Sequence, residues 1–446
     1  MIIHQFNGQI NAQRYFLYHV RIRLIEKDNT EGIMKKLLSL ALAVCILSSL
    51  HLSATADQIS VSDVSGETTA TVDENLIYSQ EAAAMEFAQQ IKAKSAVLMD
   101  AGSGKVLVAL NENETVFPAS VTKIMSLLLI CEAIDKGTLS LGDSVTVSET
   151  AASRGGSQIW LEPGETMSVD DLLKATAVYS ANDACTALGE HIAGSDEGFV
   201  AMMNEKAKEL GMTNTHFENC TGLDDTTDDH LTSAYDVALM SRALLQYPFI
   251  TDYTTIWMDT LRNGETEIVN TNKLIRFYNG ATGLKTGTTD KAGCCVSATA
   301  TRNGMDLIAV VMGSENSSDR FESAKAMLNW GFSNYENYTP TVDESLITRV
   351  QVLHGKERFV QPVCEQTPQG VLLKKGTSET VTQKVELAQE LEAPVAKGQQ
   401  IGTLTVYAAD EVIAQIPLIA SEEVEKLGFF SSLWLLLTSV GKGEKA

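Results

Sequence analysis

One apolar segment restricts the fold of this chain more than any other part of the sequence. Residues 120–135 carry apolar side chains around most of a helix circumference, and Gly137 follows them as a stop signal for the helix. A helix that is apolar on every side has to be enclosed by other elements, because no face of it suits contact with water. The sequence therefore predicts a buried central helix with Ser120 at its start.

A β-hairpin is predicted on either side of this helix. Residues 95–99 and 105–110 are rich in Val and Leu and are joined by a glycine-containing turn, and residues 295–301 and 306–312 repeat the pattern. A helix at 319–332 follows the second hairpin. Further helices are predicted at residues 169–179, 181–192, 198–210 and 233–245. This order predicts an α+β fold, in which an antiparallel sheet from both ends of the region is flanked by helices and contains a helical insert.

The pattern changes after residue 334. Between residues 340 and 420, short alternating strands with Pro and Gly between them predict a small all-β domain, with a β-sandwich as the expected arrangement. Residues 422–440 place large apolar side chains on one helical face, which predicts a C-terminal amphipathic helix. Its most apolar part, residues 429–440, is too short to span a bilayer but suits a helix in the membrane interface. Packing of this helix on its own domain is the alternative.

The first 56 residues have the three parts of a secretory signal. A basic start at Met34 is followed by the apolar residues 37–50 and by the small-residue exit at residues 54–56. We expect translation to start at Met34 and cleavage to follow Ala56, with an uncut membrane helix as the alternative. The mature chain is therefore expected outside the cytoplasm.

The charge of the chain and the spacing of its cysteines argue against a nucleic-acid-binding surface and a zinc site. Lys and Arg number 34 against 57 Asp and Glu, for a formal charge of −23, and no basic cluster is present to neutralise phosphates, so nucleic acid is not an expected partner. Cys45 would leave with the signal, and the remaining six cysteines match no zinc pattern. Cys294 and Cys295 are adjacent, which is poor geometry for pairing with each other. We expect mostly free, buried thiols and no metal or other cofactor.

A serine and a lysine three residues apart open the central helix. Ser120 and Lys123 share one helical face, so Ser Oγ and Lys Nζ can meet. A lysine removed from water loses proton affinity, and a neutral amine can accept the serine proton and activate the hydroxyl as a nucleophile. The motif is not specific alone, because the same S-x-x-K spacing recurs at Ser439.

Two further motifs supply polar groups. Ser180 and Asn182 lie between two predicted helices, where capping residues would also be found. Lys285, Thr286 and Gly287 follow one another later in the chain. Glycine lets a strand edge approach a ligand closely, and the lysine and hydroxyls beside it offer a site for a carboxylate. Taken singly, these motifs could also be a helix cap and an exposed strand end.

Together the three motifs resemble the active-site signature of the penicillin-recognising serine enzymes. The order S-x-x-K, S-x-N, K-T-G, with separations of 60 and 105 residues, is typical of that group. Flanking segments narrow the resemblance to the low-molecular-mass penicillin-binding proteins, which are serine-type D-alanyl-D-alanine carboxypeptidases with a β-lactamase/transpeptidase-like catalytic domain, a C-terminal β domain and an amphipathic anchor. These segments are residues 118–123, 179–184, 210–215, 221–223 and 329–332.

The resemblance implies a catalytic role for each matching residue. Ser120 would be the acyl-accepting nucleophile and Lys123 its base. Ser180 would relay a proton to the leaving D-alanine, and Asn182 would orient the substrate amide and the lysine. Burial of Lys123 beside Lys285 is expected to lower the pKa of Lys123 through desolvation and like-charge repulsion.

The resemblance also implies how the substrate is held. Lys285, which belongs to the catalytic set, and Thr286 would bind the terminal carboxylate next to Gly287. The backbone N–H groups of Ser120 and Thr288 would form the oxyanion hole. Arg320 matches the place of a carboxylate-binding arginine in the family, and a plain surface arginine is the alternative.

The predicted organisation follows from these assignments. It comprises a signal region at 1–56, a polar leader at 57–80, a catalytic domain at 81–336, the β domain at 340–420 and an anchor helix at 421–446. The expected partners are peptidoglycan stem peptides ending in D-Ala-D-Ala, β-lactams and the outer face of the cytoplasmic membrane, with the chain acting as a monomer in cell-wall synthesis and cell shape.

Two alternatives stay open. A β-lactamase shares the motifs, although one of the common class would need a glutamate for deacylation, and no E-x-x-L-N segment lies between Ser180 and Lys285. The second alternative is a wall-associated binding or sensor protein with a decayed site. Every polar group of the site is present in this sequence, which such a protein would not need.

Overall fold

The structure is a computed structural model that describes residues 82–225 and 227–428. The predicted signal at 1–56, the leader at 57–80 and residues 429–440 of the predicted C-terminal helix lie outside the described residues. In the part of the chain that is described, no helix is long and apolar enough to cross a bilayer.

Strands open and close the described chain, and helices occupy its middle. The strands are β1 Ser95–Asp100, β2 Val106–Leu110, β3 Ser144–Thr146, β4 Thr166–Ser168, β5 Met258–Leu261, β6 Thr266–Val269, β7 Ala281–Thr289, β8 Gly293–Arg302, β9 Met305–Ser314, β10 Tyr335–Tyr338, β11 Val350–Leu353, β12 Phe359–Val360, β13 Pro362–Cys364, β14 Val371–Lys374, β15 Thr382–Leu387, β16 Glu390–Glu392, β17 Gln400–Ala408 and β18 Glu411–Ala420. The helices are α1 Lys123–Asp135, α2 Glu149–Ala152, α3 Val169–Lys174, α4 Asn182–Ala193, α5 Asp196–Glu209, α6 Ala234–Leu244, α7 Ile250–Thr254, α8 Leu274–Phe277 and α9 Ser317–Asn334. A helical stretch at 82–88 precedes β1.

A five-stranded antiparallel sheet forms the centre of the helical region, in the order β2-β1-β9-β8-β7. β1 pairs with β9 along its whole length, although more than 200 residues separate them in the chain. The neighbouring pairs are antiparallel as well. The prediction of a sheet built from both ends of the region, with a helical insert, is confirmed. β7, which carries Lys285 and Thr286, is an edge strand.

The two faces of the sheet pack against different helices, because successive strand residues point to opposite sides. On one face Val97 and Val310 join α1 in the larger apolar core. On the other face Leu98 and Leu307 pack in a second core with residues of α9. The first nine residues of α1 are buried on every side, as the sequence predicts. The turn that leads into it, Ala119–Thr122, is 3₁₀ rather than α-helical.

The helical insert differs from the prediction at one important point. The helix predicted at 169–179 is divided, because α3 ends at Lys174 and continues as a π-helical turn, Ala175–Tyr179. π-turns are frequent at functional sites, and this one ends at Ser180 in a left-handed backbone conformation (φ 69°, ψ 25°). The sequence also does not predict the short hairpins β3–β4 and β5–β6. The predicted helices that correspond to α4, α5, α6 and α9 are correct to within two residues at each end.

Beyond α9 the described chain is β-rich, as predicted. β10 pairs with β14, β11 lies between β12 and β16, and β13, β18, β17 and β15 form a four-stranded antiparallel sheet. Small apolar clusters around Val395 and around Leu404 hold this region together. The cysteines from Cys131 onward are free thiols, and all but Cys364 are buried, which agrees with the sequence analysis.

The predicted C-terminal helix does not begin at Glu422. Residues 421–428 are not helical, and Val424 pairs antiparallel with Val395 through backbone hydrogen bonds in both directions. The Val424 side chain completes the apolar cluster around Val395 and is 1% exposed. A helix here would break these backbone bonds and uncover that side chain, so residues 421–428 belong to the β-rich region.

Replacing Leu328 tests the packing of α9 on the sheet. Leu328 is fully buried between them, and Leu328→Ala is expected to lower the free energy of unfolding by about 2–5 kcal/mol, because it removes apolar contacts and leaves a cavity. Urea titration followed by circular dichroism measures the change. Met202→Ala, on the exposed side of α5, is the control and should change stability by less than about 0.5 kcal/mol. Equal unfolding midpoints for the two variants would contradict this packing.

Candidate active site

Ser120 lies in the tight turn before α1, held from two sides by glycines. The turn begins at Ala119, whose backbone is left-handed (φ 49°). Gly222 packs so closely that a side-chain carbon there would lie 1.8 Å from the Ala119 carbonyl oxygen. On the other side, a side-chain carbon at Gly287 would lie 2.8 Å from Ser120 N. Only residues without a Cβ allow these approaches, so segments remote in sequence fix the position of the serine.

Lys123 is fully buried and has three oxygen neighbours. Its Nζ lies 3.1 Å from Ser120 Oγ, 2.5 Å from Asn182 Oδ1 and 2.8 Å from the carbonyl oxygen of Thr221. The amide and carbonyl oxygens can only accept hydrogen bonds, so each takes one N–H of the amine. In the neutral amine the remaining tetrahedral direction is the lone pair, which then faces the Ser120 hydroxyl. The geometry is that of a base poised on a nucleophile.

Burial is the main cause of the shifted pKa of Lys123, which falls from 10.5 to about 8. Cys185, Cys220 and Asp183 raise this pKa in part. Repulsion by Lys285 is not among the causes that lower the pKa of Lys123, whereas repulsion by Lys123 does lower the pKa of Lys285. The pKa of Lys285 lies well below its ordinary value, first because the side chain is buried and second because of the charge on Lys123. The desolvation part of the prediction is confirmed.

Ser180 and Asn182 project from the chain reversal between the π-turn and α4. The Ser180 side chain is buried and its Oγ has no hydrogen-bond partner, which is rare for an enclosed hydroxyl and leaves it able to bond with an arriving group. Asn182 accepts from Lys123 with Oδ1 and donates from Nδ2 to the Gly155 carbonyl at 2.6 Å. These two bonds fix the orientation of the amide.

β7 places the third motif against the nucleophile turn. Lys285 and Thr286 are buried, so the alternative of an exposed strand end is wrong for them. Lys285 Nζ donates to the Thr286 carbonyl at 3.2 Å, and Thr286 Oγ1 donates to Thr271 Oγ1 at 2.7 Å. From the sequence, Gly287 is expected to let a ligand approach the strand closely. In the structure the glycine also admits the backbone of Ser120.

Arg320 is a buried side chain in the first turn of α9, not a surface one. It is 7% exposed and donates from Nη1 to the Gly287 carbonyl at 2.9 Å, to Thr288 Oγ1 at 3.0 Å and to the Cys295 carbonyl at 3.2 Å. The alternative of a plain surface arginine is therefore wrong. Arg320 holds the end of β7 and brings a positive charge to it, and its contact with a substrate carboxylate stays a prediction.

One residue that shapes the site belongs to no motif. His230 is buried and accepts a hydrogen bond at Nδ1 from the N–H of Glu218 (3.0 Å), so its proton lies on Nε2, which donates to Thr122 Oγ1 at 2.8 Å. Burial is the main cause that lowers its pKa to about 4, which keeps the ring neutral. His230 thus braces the turn next to Lys123. It lies 108 residues from Thr122 in the chain, so no local pattern could identify it.

A buried carboxylate organises the loop at the rim of the site. Asp183 accepts hydrogen bonds from the N–H groups of Ile159 and Leu161, each at 3.1 Å. The same loop, residues 155–161, supplies two carbonyl oxygens that bind Asn182. The sequence did not single out this loop, since its role depends on contacts with the segment that follows Ser180.

These groups suit nucleophilic acyl transfer. A serine hydroxyl lies 3.1 Å from an amine base that is itself oriented by a third residue, which is the general arrangement of an activated nucleophile. Lys285 and Arg320 offer cationic groups for an anion close by. Among residues 82–225 and 227–428, no group of three His, Cys, Asp or Glu side chains is arranged to hold a metal ion.

Comparisons with known proteins identify the family of the chain. Residues 80–316 match the family profile described as D-alanyl-D-alanine carboxypeptidase (peptidase S11), and residues 335–426 match that of the penicillin-binding protein 5 C-terminal domain. The chain is 44% identical over 346 residues to the D-alanyl-D-alanine carboxypeptidase DacF of Bacillus subtilis, covering 77% of this chain and 88% of that protein. It is 36% identical over 359 residues to the D-alanyl-D-alanine carboxypeptidase DacC of Escherichia coli, covering 78% of this chain and 88% of that protein.

Solved structures show the same similarity. Penicillin-binding protein 5 from Haemophilus influenzae superposes with a TM-score of 0.64 at 33% identity, covering 76% of this chain and 98% of that one. Penicillin-binding protein D2 from Listeria monocytogenes, in its ampicillin-bound form, superposes with a TM-score of 0.50 at 31% identity, covering 54% of this chain and 98% of that one. The catalytic fold is thus transpeptidase-like and is followed by a β-rich domain.

The pH dependence of acylation tests the role of Lys123. Only the neutral amine can accept a proton, so with a pKa of about 8 the second-order rate of Ser120 acylation by a fluorescent β-lactam should rise about tenfold per pH unit below pH 8 and level off above it. Stopped-flow fluorescence from pH 5 to 9 measures this profile. Lys123→Arg, which stays protonated, should be at least about 100-fold slower throughout. A flat wild-type profile would remove Lys123 as the base.

Proposed function

The chain belongs to the peptidase S11 family of D-alanyl-D-alanine carboxypeptidases, and from that premise we propose how its site removes a terminal D-alanine. The protein is a serine-type D-Ala-D-Ala carboxypeptidase that acts on peptidoglycan. The observation that carries the proposed mechanism is the geometry of Lys123, whose two acceptor partners leave its lone pair facing Ser120.

The first step transfers the acyl group to the enzyme. Ser120 Oγ attacks the carbonyl carbon of the peptide bond between the two D-alanines, while its proton passes to Lys123 Nζ. The negative charge that develops on the carbonyl oxygen is stabilised by the N–H groups of Ser120 and Thr288. The close contact between Gly287 and Ser120 N supports this pairing, because it brings the end of β7 beside the nucleophile turn.

Ser180 completes the step by moving a proton to the leaving group. Its unpartnered Oγ donates its proton to the nitrogen of the terminal D-alanine and takes one from the Lys123 ammonium. The carbon–nitrogen bond then breaks, D-alanine departs, and the shortened peptide remains as an ester on Ser120. Water next attacks the ester carbonyl and gives a proton to Lys123, which returns it to Ser120 Oγ as the peptide acid is released.

The terminal carboxylate selects the substrate. Lys285, Thr286, Thr288 and Arg320 surround the end of β7, where two cationic side chains and two hydroxyls suit an anion. The pKa of Lys285 is depressed in the free enzyme. An arriving carboxylate would raise it, because a neighbouring negative charge favours the protonated amine. A bound carboxylate would therefore favour the cationic form of Lys285.

The same acyl transfer accounts for inhibition by β-lactams. Penicillin-binding protein D2 from Listeria monocytogenes, a structural relative, is known in an ampicillin-bound form. In this chain the strained ring carbonyl would take the place of the scissile peptide and form an ester with Ser120. Asn182 would orient the substrate amide in both reactions through its fixed Nδ2 group.

We extend the proposal to the location of the enzyme. Its substrate lies in the wall, and the sequence carries signal features at 34–56 and an apolar segment at 429–440. The chain would be exported, would attach to the outer face of the cell membrane through residues 429–440 and would act there as a monomer. The β-rich region, proposed to be a β-sandwich, would lie between this attachment and the catalytic domain.

Replacing Ser120 tests the nucleophile. Ser120→Ala should abolish both labelling by fluorescent penicillin and release of D-alanine from muropeptides that end in D-Ala-D-Ala, because no oxygen remains to form the ester. Ser439→Ala, which changes the second S-x-x-K sequence, is the matched control and should retain both activities. Wild-type protein that is acylated by penicillin but releases no D-alanine would contradict the carboxypeptidase mechanism.

A truncation tests the anchor. Deleting residues 429–446 keeps Val424 in its apolar cluster and should move the protein from the membrane fraction to the soluble fraction with penicillin binding intact. Cell fractionation and gel labelling measure both properties. A chain that ends at residue 420 should also lose stability, since it removes Val424. If the 429–446 deletion still sediments with membranes, the attachment lies elsewhere, with the uncut signal as the next candidate.

A further inference from the structure

Trp160 is exposed in a backbone conformation that a tryptophan rarely adopts. Its side chain is 76% exposed, and its φ of 59° lies in the left-handed region, where bulky residues are strained. A single exposed apolar side chain needs no explanation by itself, but strained backbone positions cluster at active sites and ligand-binding segments. A residue that is both strained and exposed therefore needs a physical account.

The fold holds Trp160 in this position with three anchors. The N–H groups on either side of it, from Ile159 and Leu161, both bond to the buried Asp183 carboxylate. The side chains of Ile159 and Leu161 are themselves buried, and the Ile159 carbonyl accepts from Arg262 Nη1 at 2.9 Å. Because the N–H groups of Ile159 and Leu161 point to the same carboxylate, the residue between them adopts the left-handed backbone conformation. The indole is thereby turned outward.

The loop that carries Trp160 is hydrogen-bonded to Asn182 of the active site. Ser157 accepts a hydrogen bond from the Asn182 N–H at 2.7 Å, and Gly155 accepts from Asn182 Nδ2 at 2.6 Å. Under the proposed function Asn182 orients the amide that precedes the scissile bond. The residue before D-Ala-D-Ala would therefore pass along this loop, three residues from Trp160. The substrate continues away from the carboxylate site on β7.

We propose that Trp160 is a specificity-determining residue that binds the side chain of the residue preceding D-Ala-D-Ala. This inference rests on the proposed function. An exposed indole face suits a long aliphatic side chain that ends in an ammonium group, as in the diamino acids of peptidoglycan, because the methylene groups pack on the ring and the cation is attracted by its π-electrons. The exposed carboxylate of Glu162 and the net charge of −23 favour a cationic end as well.

The test compares two acetylated tripeptides that differ only at this position, Nα-acetyl-L-Lys-D-Ala-D-Ala and Nα-acetyl-Gly-D-Ala-D-Ala. The full chain is assayed for D-alanine release, and the ratio of kcat/KM for the two peptides is the readout. Trp160→Ala should lower the preference for the lysine peptide about tenfold, and Trp160→Phe should retain most of it. Phe359→Ala, which removes an exposed aromatic ring from β12, is the control and should keep the wild-type ratio.

A glycine variant separates the indole from the backbone. Trp160→Gly removes the ring and also relieves the left-handed strain, so it should unfold at a temperature equal to or above that of Trp160→Ala while showing the same lost preference. An unchanged ratio in Trp160→Ala, an equal loss on both peptides, or a wild-type ratio in Trp160→Gly would overturn the inference. Failure of the proposed function is distinguishable, because wild-type protein would then release no D-alanine from either peptide.

Discussion

A lysine amine held out of water between two fixed acceptors is the interaction on which the rest of this structure depends. Lys123 could serve as a base only after losing its hydration, since in water its pKa of 10.5 would keep it protonated. Burial on all sides of α1 supplies the desolvation. The Asn182 amide and the Thr221 carbonyl then determine which direction of the amine is left for the serine. The environment of the Lys123 amine therefore requires three parts of the chain to come together, namely the central helix, the chain reversal at Ser180 and the segment around Thr221.

Much of this arrangement could be predicted from the sequence, because its signals are local. Alternating and helical patterns identify the hairpins around the insert and the buried helix, and the three short motifs identify the groups that do the chemistry. What the sequence could not supply are contacts across long separations. His230 on Thr122 and the Thr221 carbonyl on Lys123 join residues about 100 positions apart. The left-handed Ser180 was also missed, since a π-turn replaces a helix end without any distinctive residue.

Glycines help to align the serine, in addition to its hydrogen bond with Lys123. Gly222 and Gly287 approach the backbone around Ser120 from opposite sides, at distances that leave no room for a Cβ. Close backbone packing therefore holds the nucleophile turn together with the hydrogen bond between His230 and Thr122, and some polar atoms of the site stay without a partner. Ser180 Oγ and Arg320 Nε illustrate the result, since both are enclosed and neither has a partner. The site thus combines close backbone packing with selected side-chain atoms that have no partner.

The tautomer of His230 gives the nucleophile turn an acid threshold. Its Nδ1 accepts from the Glu218 amide, and a second proton there would set two N–H groups against each other. The pKa of the ring is about 4 in the folded chain and near 6.5 when unfolded. Between these values the unfolded state binds more protons, so stability falls as the pH drops through that window. Protonation of His230, which lies outside the reacting groups, would thus weaken the brace on the turn that carries Ser120 as the pH falls.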